Sequence, residues 1–269
     1  MAGQNNQPNW DEIAEKFDLW LPQIAPVGEA LIEALAAAPG DKILDLASGT
    51  GEPALTLAKR SPHTEIIGID AAPAMVAVAQ KKATAEQLKN IRFHTMAAEN
   101  LDFGDESFDR ILCRFGVMLF EDPLKGVKEI QRVLKPGGHF AFAVWSTAET
   151  MTTLRWASQA FKDRILEEDQ PPAAKVSSLG APGAIESLLE KSGLNQYQVQ
   201  AKRFDYQFQS FDDYWNKVEA SDIMKQQFDA LPDHQSEQVR NEIARFAHDF
   251  QTENGLIIPH EYLLVTGFK

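Results

Sequence analysis

The 269-residue sequence holds a single cysteine, Cys113, so no disulfide can close within the chain, and the count fits a reducing compartment. Long apolar runs are missing as well. None approaches the ~18 residues that a membrane-spanning helix needs, so stable membrane insertion is not expected. The polar opening MAGQNNQPNW has no apolar centre of a secretory signal, and a cytoplasmic location is the expectation. Basic runs are short: Lys81-Lys82 and Lys202-Arg203 are only pairs. They stand against 39 acidic and 26 basic residues, a net charge of −13, which repels phosphate backbones at long range. A nucleic-acid partner is therefore not expected, and a monomer or homodimer acting on a small molecule is. The six histidines are scattered singly and no zinc spacing occurs, so no metal site is expected.

What is present is enough apolar residue, 44%, to build a substantial core. Residues 1–9 read as a disordered tail. From Trp10 to about Ala38 apolar residues recur at helical spacing, with Pro22 and Pro26 predicted to split the stretch into two helices. Strands are expected at Lys42–Ala47, Glu65–Ile69, Ile91–Thr95, Phe108–Cys113 and His139–Trp145. Helices alternate with them near Pro53–Arg60, from Pro73, and over Leu124–Leu134. This alternation predicts an α/β fold with a doubly wound, mostly parallel sheet. The second half is less regular. Helices are expected at Thr150–Glu168, Ala184–Ser192, Phe211–Ser221 and Ser236–Phe250, a Pro/Gly-rich loop at 169–183, and strands at Tyr197–Phe208 and Glu261–Phe268.

Ligands of open α/β sheets bind beyond the carboxyl ends of the strands. The first strand-to-helix turn there reads Asp45-Leu-Ala47-Ser48-Gly49-Thr50-Gly51-Glu-Pro-Ala54. Its glycines permit a tight turn and close approach of a ligand, and the helix behind offers free N–H groups to an anion. Asp70, 19 residues after Gly51, ends the second strand, where its carboxylate can accept both hydroxyls of a ribose. These features suit NAD and S-adenosylmethionine alike. Asp45 separates them. A buried carboxylate at the end of the first strand is costly without a partner. It would repel a pyrophosphate, whereas a methionine ammonium would neutralise it. The competing reading makes Asp45 a turn cap.

The segments ILDLASGTG (43–51), IIGIDAAPAMVAVAQ (66–80), AAENLDFGDESFDRILCRFGVMLFEDP (97–123), EIQRVLKPGG (129–138) and FAVW (142–145) resemble the class I S-adenosylmethionine-dependent methyltransferases. Within them the chain looks like the ubiquinone/menaquinone-biosynthesis-like branch (methyltransferase type 11). The resemblance implies a Rossmann-like seven-stranded sheet with a helical cover over the strand carboxyl ends. It implies a lid over 1–39, a cofactor-binding core over 40–146, and substrate-cover helices plus the last two strands of the same sheet over 147–269. Asp45, Ala47, Ser48, Gly49, Thr50 and Gly51 then match the glycine-turn motif, with alanine at 47 where relatives usually have glycine. Asp70 matches the ribose-binding acid, Ala71 and Met75 the adenine neighbours, and Ala97, Ala98 and Glu99 the adenine-edge segment. Many relatives carry an acid at the position of Ala97. Arg114 and Phe115 match the segment beside the methyl donor, and Phe17 an aromatic lid. Met75, Phe115 and Met118 would serve equally well as core.

Methyl transfer needs an aligned acceptor and exclusion of water, and the cofactor supplies the hard chemistry. No general base is legible: His139 is expected to start a strand near the surface, and His94, His234, His248 and His260 have no nameable partner. Aromatic density after residue 144 predicts a planar or apolar small-molecule substrate, or a cationic amine held by cation–π contacts, with Trp20, Met118, Trp145, Trp156 and Trp215 as candidate contacts. The alternatives are a nicotinamide-dependent oxidoreductase on a similar sheet and a non-catalytic adenosyl-cofactor-binding module.

Overall fold

The computed structural model describes residues 9–162, 164, 176–221, 228 and 231–269. Most of the expected N-terminal tail, the end of the helix drawn to Glu168 and residues 169–175 of the Pro/Gly-rich loop lie outside them. The strands are β1 (Lys42–Leu46), β2 (Glu65–Asp70), β3 (Ile91–Thr95), β4 (Phe108–Arg114), β5 (Leu134–Trp145), β6 (Gln196–Phe208), β7 (Gln251–Thr252) and β8 (Gly255–Phe268). The helices are α1 (Trp10–Ile13), α2 (Leu21–Leu35), α3 (Ala54–Arg60), α4 (Pro73–Ala85), α5 (Pro123–Val133), α6 (Thr152–Phe161), α7 (Ala184–Ser192), α8 (Phe211–Ser221) and α9 (Asp233–His248).

The strands form one sheet in the order β3-β2-β1-β4-β5-β8-β6. The first five are parallel, and β8 runs antiparallel between β5 and β6. The fold is thus the doubly wound α/β architecture expected, with the two-residue β7 added as an eighth strand on β8. β1 reads Lys-Ile-Leu-Asp-Leu, and Ile43 to Leu46 are all buried, because a parallel strand between two helical layers has no solvent face. The order reverses at β1 and β4, where Asp45 pairs with Leu112. Their carboxyl ends therefore border the crevice in which such sheets bind ligands.

The N-terminal helices depart from expectation. The break falls at residues 14–20, around a short 3₁₀ turn at Phe17–Leu19, and α2 continues through Pro26. Pro22 stands in the first turn, where no intrahelical N–H is needed, so it starts the helix instead of ending one. Val27, Leu31 and Leu35 lie at four-residue steps and are fully buried. That stripe holds α2 against β4, β5 and β6 and outweighs the one hydrogen bond that Pro26 removes. α9 starts three residues before the expected Ser236 and ends before Phe250. The last strand starts at Gly255, six residues before the expected Glu261. Its Pro259 sits where β8 has β6 on one side, the pairing with β5 beginning only at Tyr262.

Candidate cofactor and substrate cavity

A cavity of about 400 Å³ opens at the carboxyl ends of β1, β2 and β4 and runs toward the ends of β5, β6 and β8. One end is built by the glycine turn. Gly51 has a φ of +105°, and a Cβ there would lie 2.7 Å from Leu55, so only glycine fits without repacking. Ala47 holds a φ of +53°, a left-handed conformation that costs alanine about 1 kcal/mol. This accounts for the glycine that the resemblance led us to expect there.

Asp45 is fully buried beneath this turn. Among the described residues neither of its carboxylate oxygens has a hydrogen-bond partner, and the Oγ of Ser48 has none either. Burial pushes the Asp45 carboxyl well above the usual carboxylate range. The Arg114 guanidinium opposes that rise, and the charges of Asp70 and Glu52 add to it. Arg114 is itself pushed down to about 10 by burial, against the pull of Asp45 and Glu52. Its Nη2 donates to the Glu52 carbonyl at 2.8 Å.

Asp70, at the end of β2, is held by two backbone donors. Gly49 N–H reaches Oδ2 at 2.9 Å and Ala72 N–H reaches Oδ1 at 2.9 Å. Burial raises its pKa, and the N–H groups of Ala72 and Gly49 work against that rise. Each oxygen keeps a lone pair for a further donor. The turn is also tied to the N-terminal segment. Thr50 Oγ1 donates to Asp18 at 2.6 Å, and Lys82 both pairs with Asp18 and donates to the Thr50 carbonyl.

Of the expected site residues, Phe17, Ala47, Ser48, Gly49, Asp70, Ala71, Met75, Ala97, Ala98, Glu99, Arg114 and Phe115 line the cavity, as do Trp20, Met118 and Trp145. Asp45, Thr50 and Gly51 form its foundation and are not part of its wall. Glu99 Oε1 accepts from the Glu121 N–H at 2.7 Å, so its carboxylate is already engaged. Trp156 and Trp215 require correction as substrate contacts. Trp156 packs against Tyr214 and Phe250, and Trp215 stacks on Phe211 with its indole N–H on Glu219. Both belong to the packing among the cover helices, since aromatic helical faces are drawn first to the core.

The far end of the cavity is aromatic. Phe115 stacks on Trp145 at 3.9 Å between ring centres, and Trp145 on Phe204 at 5.9 Å. Trp20 lies 6.0 Å from Tyr206. Glu52, Tyr206 and Thr153 also line this cavity without a signal in the sequence, and so does His260, which the sequence left without a partner. His260 is 2% exposed, and burial holds its imidazole down to about 4, so it is neutral at physiological pH. The signal that finds it is the strand alternation of β8, which puts His260, Tyr262 and Leu264 on one face once the strand is begun before Pro259. Among the described residues no cluster of His, Cys, Asp and Glu is arranged to hold a metal, and no helix is long and apolar enough to cross a membrane.

The methyltransferase-domain family matches residues 43–138, the span from β1 to the start of β5. A demethylmenaquinone methyltransferase of Deinococcus radiodurans is 41% identical over 143 residues, covering 51% of this chain and 58% of that protein. A ubiquinone/menaquinone biosynthesis C-methyltransferase of Geotalea daltonii is 35% identical over 153 residues, 54% of this chain and 65% of the other. The chain thus spans less than two thirds of the length of either relative. The crystal structure of the YcgJ protein of Bacillus subtilis has the same fold, with a TM-score of 0.64, 23% identity, and coverage of 91% of this chain and 98% of that one. Residues 43–138 thus match a methyltransferase domain, and over about half of its length the chain is similar to ubiquinone/menaquinone-biosynthesis methyltransferases.

Proposed function

We propose that the chain transfers a methyl group from S-adenosylmethionine to O, N or C of a small aromatic or apolar molecule. The observation that carries this reading is Asp45, a carboxylate buried under the glycine turn without a hydrogen-bond partner among the described residues. A buried acid in that state calls for a cation, and a methionine ammonium is one. The pyrophosphate of a nicotinamide dinucleotide would instead set like charges together, which disfavours the oxidoreductase reading. The other residues fit the same group. The lone pairs left on Asp70 suit a ribose diol, and Ala71, Met75 and Ala98 offer small apolar contacts to an adenine. With Ala97 lacking a carboxylate, backbone groups or water would meet the adenine amino group. Phe17, Thr50 and Asp18 would close residues 1–39 over the site as a lid, with 40–146 as the cofactor core and 147–269 as the cover.

S-adenosylmethionine supplies, when bound, a methyl carbon already activated by a sulfonium. The protein has to hold the acceptor in line and keep water out. Phe115, Met118, Trp145 and Trp20 give that end of the cavity apolar walls. The demethylmenaquinone and ubiquinone/menaquinone names of the relatives support a ring-bearing acceptor. The reading takes the protein to be a cytoplasmic monomer or homodimer that does not handle nucleic acid.

Calorimetric titration with S-adenosylhomocysteine and with NAD tests the reading. We expect binding of the first and none of the second, with Asp70→Ala losing at least about a hundredfold in affinity, as two charge-assisted hydrogen bonds would. Incubation with methyl-labelled donor and a metabolite extract then identifies the product. Tight NAD binding, or Asp70→Ala with undiminished affinity, would overturn it.

A further inference from the structure

Two polar side chains at the aromatic end of the cavity have no part in holding a methyl donor, Thr153 at the start of α6 and His260 on β8. The His260 ring lies on Tyr206 with 4.1 Å between centres and 6.0 Å from the ring of Trp145. Its Nδ1 is 3.1 Å from the Ile258 carbonyl oxygen. A carbonyl only accepts, so Nδ1 carries the hydrogen and the neutral ring has its lone pair on Nε2. Nε2 lies 3.0 Å from Thr153 Oγ1 and 3.5 Å from the Thr153 N–H. The threonine hydroxyl therefore donates to Nε2, which leaves the oxygen lone pairs for a donor in the cavity. A histidine held in one tautomer by its own strand, with a hydroxyl between it and the cavity, is arranged to receive a proton.

We propose that Thr153 and His260 accept the proton of an O–H group, phenol or enol, on a planar apolar substrate that lies against Trp145 and Tyr206. The inference rests on the methyl-transfer reading and names oxygen as the accepting atom. The substrate O–H bond breaks as its proton passes to Thr153 Oγ1, and the proton already on Oγ1 passes to Nε2. The electron pair left on the substrate oxygen forms the new bond to the methyl carbon. The carbon–sulfur bond breaks with its pair kept by sulfur, giving a neutral thioether. One positive charge is lost at the sulfonium and one is gained at the imidazolium, so the charge of the cavity is the same before and after. The imidazolium then returns its proton to water as the product leaves.

Paired probes test this, 4-nitrophenol, which can donate a proton, and 4-nitroanisole, which cannot. Binding is followed by tryptophan fluorescence at mildly acidic pH, where the phenol is protonated. The wild-type protein should prefer the phenol by about tenfold, the worth of one buried hydrogen bond. His260→Phe keeps the ring on Tyr206, and Thr153→Val keeps the side-chain shape. Each should lose the preference, and Thr153→Ser should restore it. S-adenosylhomocysteine affinity, measured separately, should not change in any of these variants. The proposal falls if His260→Phe, with unchanged S-adenosylhomocysteine affinity, keeps the preference, or if the wild type shows no preference. Failure of every variant and the wild type to bind S-adenosylhomocysteine would sink the methyl-donor reading instead, and the probe pair would still read the Thr153–His260 site in the free protein.

Discussion

His260 ties the stability of the fold to pH, and the size of that link can be worked out. In the folded chain burial holds the imidazole down to about 4, against an ordinary value of 6.5. The folded state thus takes up this proton only below about pH 4, whereas the unfolded chain takes it up below about 6.5. Between those limits the unfolded state binds more protons, and stability falls as the pH falls. At about 1.4 kcal/mol per unit, the loss reaches about 3 kcal/mol by pH 4, a large part of the ~5–15 kcal/mol that holds a typical domain together. Above about pH 6.5 the group contributes no slope. His260→Phe removes the titration, and it also leaves the Ile258 carbonyl and the Thr153 hydroxyl without their partner. The variant should therefore be less stable than the wild type near pH 7.5, by about 1–3 kcal/mol. Urea melts at several pH values check the difference between the two proteins, in which the carboxylates they share cancel. The wild-type advantage should shrink steadily from about pH 6.5 to about pH 4 and vanish or reverse at the acid end. A difference that stays flat over that range would refute the burial argument.

Three further outcomes follow from the turn and the cavity. Asp45 has a raised pKa in the free protein, and an ammonium placed against it lowers that value. Binding of S-adenosylhomocysteine should therefore release protons, as titrations in buffers of different ionisation enthalpy would register, and affinity should drop as the pH is lowered. Asp45→Asn should remove that proton release and weaken binding by at least about tenfold, a charge-assisted contact being worth about 1.5–3 kcal/mol, while leaving the free protein as stable as before or more so. Ala47→Gly should raise the unfolding free energy by up to about 1 kcal/mol, measured by urea melts, because it relieves a positive φ. Trp145→Ala should reduce nitrophenol binding, and Trp215→Phe should leave it unchanged, as the fluorescence titration would reveal.

The parts of the molecule legible in the sequence are those whose cause is local. Strands β1 to β5 announce themselves by short apolar runs between turns, and Asp45, Gly49, Gly51 and Asp70 lie in a turn whose spacing is set by backbone geometry. Two failures have the opposite origin. Pro26 reads as a breaker, yet the buried stripe of Val27, Leu31 and Leu35 decides the matter through contacts with strands far along the chain. His260 follows a proline that reads as the end of a loop. Its neighbours Thr153 and Tyr206 are 107 and 54 residues away; the antiparallel register of β8 with β6 brings Tyr206 to it, and the bridge between Met151 and His260 brings Thr153. Trp156 and Trp215 show a third limit, since the abundance of rings does not say which way each one faces.

The place of β8 sets an order of assembly. Among the described residues β6 pairs with no strand but β8, and β8 reaches β5 by joining Trp145 to Tyr262, more than a hundred residues on. Strands β1 to β5 and the glycine turn can come together from residues 42–145 with shorter loops to close, so that half nucleates first. The half that carries Tyr206 and His260 must wait for a single strand to slot between two others. Hydrogen exchange should find the amides of β6 and β8 opening together, as one cooperative unit distinct from β1, β2 and β4.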